Sequence, residues 1–368
     1  MNNKIPYRAD QVGSLLRPAP LKQARENYAR GQIGVDELHQ VEDRCIREVV
    51  AKQEQIGLHA VTDGEFRRAW WQFDFLAALD GVEWIETSKG IAFHGRETKR
   101  EGIAVTGKVG FSGHDMLDHF RFLSEVARVT PKMTIPSPTV LHFRGGRPLI
   151  DSKVYPDLDN FFSDTTQAYC DIVTAFYQAG CRYLQLDDTV WGYLCSEKER
   201  ELSRQRGDDP DALPGIYRDM INQVLAVRPP DMSITTHVCR GNFRSTWISE
   251  GGYEPVAEVL LGGIDYDGYF LEYDTERAGG LEPLRFLPRG KKRVVLGLIT
   301  SKSGALEDRD MVLRRIEEAA GFADIDQLCI SPQCGFSSTE EGNILTAEDQ
   351  WNKLGLALEL AREVWGEI

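Results

Sequence analysis

The sequence predicts an α/β protein folded as a TIM (β/α)8 barrel, and three observations carry that prediction. Short apolar, β-branched or aromatic runs alternate with longer amphipathic stretches, as expected of parallel strands joined by crossover helices. About eight such units fit the 368 residues, with room for one insertion. The chemically unusual polar residues cluster at the C-terminal ends of the expected strands, the face on which barrels build their sites.

Taken in order, the expected strands are Gln11–Ser14, Ala60–Asp63, Met133–Pro136, Tyr183–Asp187, Ser233–Val238, Tyr269–Glu272, Val294–Ile299 and Leu328–Ile330. Amphipathic periodicity predicts helices over Val35–Gly57, Asp159–Gly180, Ala212–Val227, Glu307–Gly321 and Ala347–Trp365. Gly57, Gly180 and Gly321 stand where a helix C-cap favours positive φ. One stretch, about 81–130, breaks the alternation: Lys89–Gly102 is polar and Ile103–Phe111 strand-like, which predicts a β-rich insertion after strand two, with an ordinary long loop as the alternative. With no repeat and no low-complexity segment, residues 1–368 read as one domain.

Composition narrows the function. A formal charge of −14, from 57 acidic against 43 basic residues, repels nucleic acid and anionic membrane surfaces. There is no apolar leader and no run of the ~18 apolar residues a membrane span needs, so a cytoplasmic protein acting on small molecules is expected. The seven scattered cysteines do not form a secreted disulfide framework, and reduced thiols are expected.

The strand ends carry the chemistry. Ser14 closes the first strand, Asp63-Gly64-Glu65 the second, Ser137 the third, Asp187-Asp188 the fourth, His237 and Cys239 the fifth, Glu272 the sixth, Thr300 and Lys302 the seventh, and Cys334 the eighth. His237 and Cys239, two apart on an extended chain, share a face and can reach one ion. Glu272 lies 33 residues beyond Cys239, and Cys334 a further 62, which is one and then two further βα units. One imidazole, two thiolates and one carboxylate suit zinc, since soft thiolates select it over magnesium or calcium. Three anionic ligands leave the dication at a net charge of about −1, a poor electrophile toward water but suited to binding and deprotonating a thiol. A His-x-Cys pair can also be simple core. The other cysteines, at 45, 170, 181, 195 and 329, fall in helical or strand-interior contexts and read as inert.

Val12-Gly13-Ser14, Gly64-Glu65, Gln185-Leu186-Asp187-Asp188, Thr236-His237-Val238-Cys239, Leu271-Glu272 and Pro332-Gln333-Cys334-Gly335 resemble, in order and spacing, the motifs of the C-terminal barrel of cobalamin-independent methionine synthase. The resemblance runs from about Arg8 to the end. It implies methyl transfer from a methyltetrahydrofolate-type donor to the sulfur of homocysteine, giving methionine. By resemblance, His237, Cys239, Glu272 and Cys334 match the Zn2+ ligands, and Ser14, Glu65 and Asp187 match the positions that hold the amino-acid end of homocysteine. An ammonium needs carboxylates, and a carboxylate needs hydroxyl or amide donors, which agrees. Asp188 joins Asp187 as a candidate, though the pair can equally cap the next helix. Glu65 can equally pair with Arg67 or Arg68.

Two features depart from the family. Its full-length enzymes carry a second, N-terminal barrel for which this chain is too short, and its seventh-strand motif carries a histidine where Gly297-Leu298-Ile299-Thr300-Ser301-Lys302 ends in lysine. Lys302 can supply a proton, with Asp187 as the other catalytic candidate, or it can simply face solvent. Trp70 and Trp71 offer a stacking wall for a flat donor, or pack the insertion or a partner subunit; a homo-oligomer is compatible with the sequence. Arg240, Arg244 and Lys302 are candidates for meeting an anionic substrate group. His94, His114, His119 and His142 lack metal-like spacing. Two other readings stand beside the methyltransferase: another thiol alkyltransferase, such as an epoxide-opening coenzyme M transferase, and a non-catalytic zinc-binding barrel. Glu65 and Asp187 favour an amino-acid thiol, because coenzyme M has no ammonium.

Overall fold

Parallel strands form the ring that positions everything else. The computed structural model describes residues 5–368. Six strands pair in sequential order: Met133–Pro136, Tyr183–Asp188, Ser233–Val238, Gly268–Glu272, Arg293–Ile299 and Leu328–Pro332. They are barrel strands three to eight. The second strand, Ala60–Val61, pairs in parallel with Thr130–Pro131, just ahead of the third. The ring closes through Ala9, which bridges Ile330 of the eighth strand, with Asp10 N–H donating to Ile330 O at 3.1 Å and Ile330 N–H to Arg8 O at 2.8 Å. Registers align the strand ends, setting Asp187 opposite His237, Phe270 opposite His237 and Glu272 opposite Gly297.

The first strand differs from the sequence expectation. Its ladder contact lies at residues 8–10 rather than 11–14, and side chains hold the later segment. Thr62 Oγ1 donates to Gly13 O at 2.6 Å, and Gln185 Nε2 to Val12 O at 2.7 Å. These amide and hydroxyl groups satisfy carbonyls that a ladder would otherwise pair.

Below the site the barrel interior is filled rather than hollow. Val12, Phe270, Val295 and Cys329 form an apolar plug. Beside it lies the fully buried Lys132, its ammonium 3.3 Å from Asp10 and over the Phe270 ring at 4.0 Å. Such a charge is tolerable inside because Asp10 and the Gln11 carbonyl both meet it.

The helices follow the amphipathic periods: Val35–Ile56, Leu158–Gln178, Leu213–Ala226, Arg309–Ala320 and Ala347–Trp365. Asp157 and Asp308 cap the second and fourth of these by accepting backbone N–H bonds, and Thr346 with Asp349 forms a capping box on the fifth. Gly57 and Gly180 adopt φ of 102° and 98° as expected of C-terminal glycines, but Gly321 does not. Its φ is −71°, and the chain leaves that helix through a right-handed turn in which Gly321 N–H meets Glu318 O. No helix among the described residues is long and apolar enough to cross a membrane.

After the second strand the chain makes an antiparallel excursion, Asp80–Glu86 against Glu101–Gly110, with a two-residue pairing of Ala92–Phe93 and Arg96–Glu97 between them. Helix Met116–Val126 then leads into the third strand. Phe73 meets Trp84 of this excursion edge-on at 5.5 Å, and Phe93 lies 5.2 Å from Phe243. The excursion therefore leans over the C-terminal face of the ring.

Candidate metal centre and substrate cleft

His237 is the last residue but one of the fifth strand, Cys239 follows that strand, Glu272 ends the sixth, and Cys334 sits two residues past the eighth. One ligand atom from each lies within 4.8 Å of all the others, and all four residues are buried. No other such group of histidine, cysteine and acidic residues occurs among the described residues.

The fit to a cation rests on three details. The Cys239 and Cys334 sulfurs are 3.6 Å apart, too far for a disulfide and close to the ~3.8 Å that two sulfurs show when each is ~2.3 Å from one tetrahedral zinc. Glu272 Oε1 accepts the Arg240 backbone N–H at 2.9 Å, while the buried Oε2 makes no hydrogen bond and has the Arg277 guanidinium 3.7 Å away as an ionic partner. A buried carboxylate oxygen beside two thiols, with no hydrogen bond and only a long ion pair, retains the capacity to ligate a cation. Finally, Gly241 N–H donates to Cys239 Sγ at 3.2 Å, which favours the thiolate.

The electrostatics agree. Burial pushes Glu272 up, but Lys302 and Arg277 outweigh it and hold the carboxylate below its usual range. Burial pulls His237 down, yet Asp187 and Cys334 raise it to about 10. The two cysteines titrate as a pair: their mutual hydrogen bond raises Cys239 and lowers Cys334, so the first proton lost leaves one thiolate. Burial pushes Cys181 to about 12 and both Cys195 and Cys329 to about 11, so these thiols are inert.

Next to the cluster is a narrow cleft. Ser14, Glu65, Trp70, Trp71, Asp187, His237, Cys239 and Cys334 all line it, bringing eight of the expected site residues to one cavity. Glu65 sits at φ 62°, a left-handed conformation rare for a residue with a side chain, directly after Gly64 at φ 69°. Its N–H is held by Asp63 at 2.8 Å, and its Oε1 meets Arg68 at 2.8 Å and the Thr134 hydroxyl at 3.0 Å. The alternative of an ion pair with Arg68 is thus real, and both contacts use the same oxygen. Arg67 pairs with Asp43 instead. Burial, opposed by Arg68 and reinforced by Asp187, raises Glu65 to about 7. Asp187 accepts from Gln185 Nε2 at 2.7 Å and stands 3.6 Å from His237 Nδ1.

Ser14 is fixed by the eighth loop. Ser337 N–H donates to its Oγ at 3.3 Å, and a Cβ on Gly335 would fall only 2.0 Å from that Oγ, which is why a glycine follows Cys334. Arg17 ties three loops together by donating to Ser337, Thr339, Glu65 and Arg68 carbonyls.

Four expected residues lie elsewhere. Asp188 is fully buried away from the cleft, with Oδ2 accepting from Thr139 at 2.8 Å and Oδ1 from Val190 N–H at 2.9 Å, and burial raises it to about 6. It caps the helix after its strand. Lys302 does not line the cleft; its Nζ is buried without a hydrogen-bond partner, where its charge acts on Glu272, Cys239 and Asp274. Arg240 is fully buried behind the cluster, over the Tyr253 ring at 4.4 Å, while Arg244 is exposed. Four histidines serve packing: His94 stacks on Trp247, His114 on Phe75, His142 bonds Tyr217, and His119 is half-buried with burial lowering it to about 4. The cleft also contains Arg144, Tyr193 and Asn242, which the sequence did not single out. Asn242 bonds the Gly335 carbonyl at 2.7 Å and so couples the two cysteine loops.

The family described as "Cobalamin-independent synthase, Catalytic domain" matches residues 9–351. The chain belongs to that family. A Bacillus subtilis relative, the uncharacterised protein YxjH, is 53% identical over 363 residues, covering 98% of this chain and 96% of its own. A crystal structure of a putative vitamin-B12-independent methionine synthase from Listeria monocytogenes is 41% identical, with a TM-score of 0.80 over 98% of this chain and 99% of the other. The structure of a B12-independent methionine synthase from a Shewanella species, in complex with selenomethionine, shares the fold at TM-score 0.72 and 17% identity, covering 97% of each chain. Membership of the family makes a methyltransferase of the methionine synthase type the general expectation.

Proposed function

We propose that this protein is a zinc-dependent methyltransferase that passes a methyl group to the sulfur of homocysteine, giving methionine, with a 5-methyltetrahydrofolate-type donor. One observation supports this above the others: the two-thiolate, imidazole and carboxylate cluster opens into the same cleft as Glu65 and Asp187. A zinc held by His237, Cys239, Glu272 and Cys334 supplies thiol activation, favouring the deprotonated, nucleophilic sulfur at neutral pH.

The protein's own residues do the rest. Glu65 and Asp187 hold the substrate ammonium, Glu65 through the oxygen that Arg68 does not occupy. An incoming cation ionises Glu65, whose burial otherwise keeps it half-protonated near neutrality. Ser14 and the amides beside it take the substrate carboxylate. Trp70, braced by Phe73 at 5.4 Å and Phe243 at 6.1 Å, gives with Trp71 a flat wall for the donor. Lys302 acts through Glu272: its charge keeps that carboxylate ionised, the form that would hold the metal. The proton lost by the thiol equals the one gained by the donor's leaving nitrogen, so the reaction balances without a redox partner.

The test is a zinc assay followed by a substrate matrix. Homocysteine and coenzyme M are each paired with 5-methyltetrahydrofolate, its triglutamate, methylcobalamin and epoxypropane. Methionine from homocysteine, abolished by Cys334→Ser together with the bound zinc, is expected. Epoxide consumption with coenzyme M and no methionine from any donor overturns the proposal.

A further inference from the structure

Two cavities meet at Arg144. One is the cleft just described; the other, of about 260 Å³, lies beneath the antiparallel excursion and is lined by Phe73, Ile91, Ile103, Val105 and Leu141 among others. Arg144 lines both, and it is the one lysine or arginine among the cleft's lining residues. Its guanidinium makes no ion pair or hydrogen bond among the described residues, and its Nε is buried without a partner. Its side chain rests on the Tyr193 ring, 5.4 Å away.

Arg240 is also buried with its guanidinium free of hydrogen bonds, but it stacks on Tyr253 and does not line the cleft, whereas two other buried arginines near the cleft have hydrogen-bond partners. Arg17 donates to four carbonyls, and Arg68 to Glu65 and Thr134. A guanidinium partly removed from water with its fork unused is costly, and an anion arriving there recovers that cost. The chain around it leaves the approach clear. Helix Pro138–Phe143 ends at Arg144, and the next two residues are glycines, with Gly146 at φ 59° and a Cβ on Gly145 lying 2.6 Å from the Leu149 side chain. Lys89 and Glu101 in the second cavity carry opposite charges, so Arg144 leaves it net positive.

We propose that Arg144 anchors a carboxylate of the methyl donor. The donor is then an elongated anion whose reactive end lies in the cleft by Trp70 and Trp71 and whose tail passes Arg144 into the cavity under the excursion. The proposal rests on the reading of the cleft as a thiol methyltransferase site. Homocysteine is too short to occupy both cavities, and its carboxylate has Ser14 and the neighbouring amides.

The experiment titrates the zinc-loaded enzyme, followed by tryptophan fluorescence, with pteroyltriglutamate and with its carboxyl methyl ester; homocysteine KM is measured separately. Arg144→Met is expected to weaken triglutamate binding about tenfold or more, with Arg144→Lys between, as for loss of a charge-assisted bond. The ester should bind wild type and variant alike. Ile91→Trp, which narrows the second cavity from the excursion side, should weaken the triglutamate while leaving homocysteine KM unchanged. Unaltered triglutamate affinity in Arg144→Met, no binding by wild type, or a rise in homocysteine KM instead, overturns the proposal. Arg144-dependent binding without methionine formation sinks the functional reading alone; methionine formation indifferent to Arg144 sinks the anchor alone.

Discussion

The sulfurs of Cys239 and Cys334 lie 3.6 Å apart although 95 residues separate them. Nothing local enforces that approach. It follows from the ring order, which brings the ends of the fifth, sixth and eighth strands around one axis, and from Asn242, which ties the loop after Cys239 to the carbonyl of Gly335.

The first prediction is that the purified chain carries one zinc and that either Cys334→Ser or Cys239→Ser loses it. Zinc at 1,000 times its Kd stabilises the fold by about 4 kcal/mol through linkage. Elemental analysis and thermal melts with and without chelator should therefore move together. A chelator that strips zinc without lowering the melting temperature would contradict a site integral to the folded barrel.

Glu65 predicts a pH effect. Its carboxyl is raised from the ordinary 4.5 to about 7, with burial the largest cause. A raised acid gives stability that is fully present below pH 4.5 and is lost as pH climbs through about 7, because the unfolded chain ionises first. The loss is on the order of 3 kcal/mol. Glu65→Gln should flatten the pH dependence of urea midpoints across this window and be the more stable protein above it, yet bind homocysteine more weakly. A variant less stable than wild type at pH 8 would show that the Arg68 pair outweighs desolvation.

Trp70 and Trp71 are neighbours with different energetic weights. Trp70 is 3% exposed and packed on Phe73 and Phe243, whereas Trp71 is half-buried. Trp70→Ala should cost about 3–5 kcal/mol of stability, as large-to-small changes of buried aromatics do. Trp71→Ala should cost about 1 kcal/mol and appear chiefly as a raised donor KM. Equal destabilisation by denaturant titration would refute the distinction.

Those contrasts also show what could be read from the chain. The convergence of His237, Cys239, Glu272 and Cys334 was legible because each lies at or just past the end of a β-like run, and the ends of parallel strands in a barrel share one face. Gly57 and Gly180 were legible as helix stops for a similar local reason. The first strand was not, because side-chain bonds from Thr62 and Gln185 replace its ladder and leave no periodicity to read. Arg144 was hidden as well: its importance comes from a loop leaning on Tyr193 and from a cavity made by a distant excursion, neither of which is encoded locally. Lys302 was placed at the right strand end, but its direction, toward Glu272 rather than the cleft, depends on the turn after the seventh strand.

Asp187 and Asp188 make the sharpest test. Successive residues of a strand point to opposite faces, and here Asp187 lines the cleft while Asp188 reaches back to Thr139 and the Val190 N–H. Asp188→Ala strands a buried hydroxyl and a buried N–H, which should cost about 2–3 kcal/mol in unfolding free energy, with homocysteine KM near wild type in the folded fraction. Asp187→Asn keeps the side chain's size and its bond to Gln185 after an amide flip, so stability should change little while homocysteine KM rises about tenfold or more from loss of a charge-assisted contact. Zinc content separates a further possibility, because Asp187 also faces His237 Nδ1 at 3.6 Å. If Asp187→Asn sheds zinc with no change in KM for the metal-replete enzyme, its task is to orient the imidazole rather than to hold the ammonium.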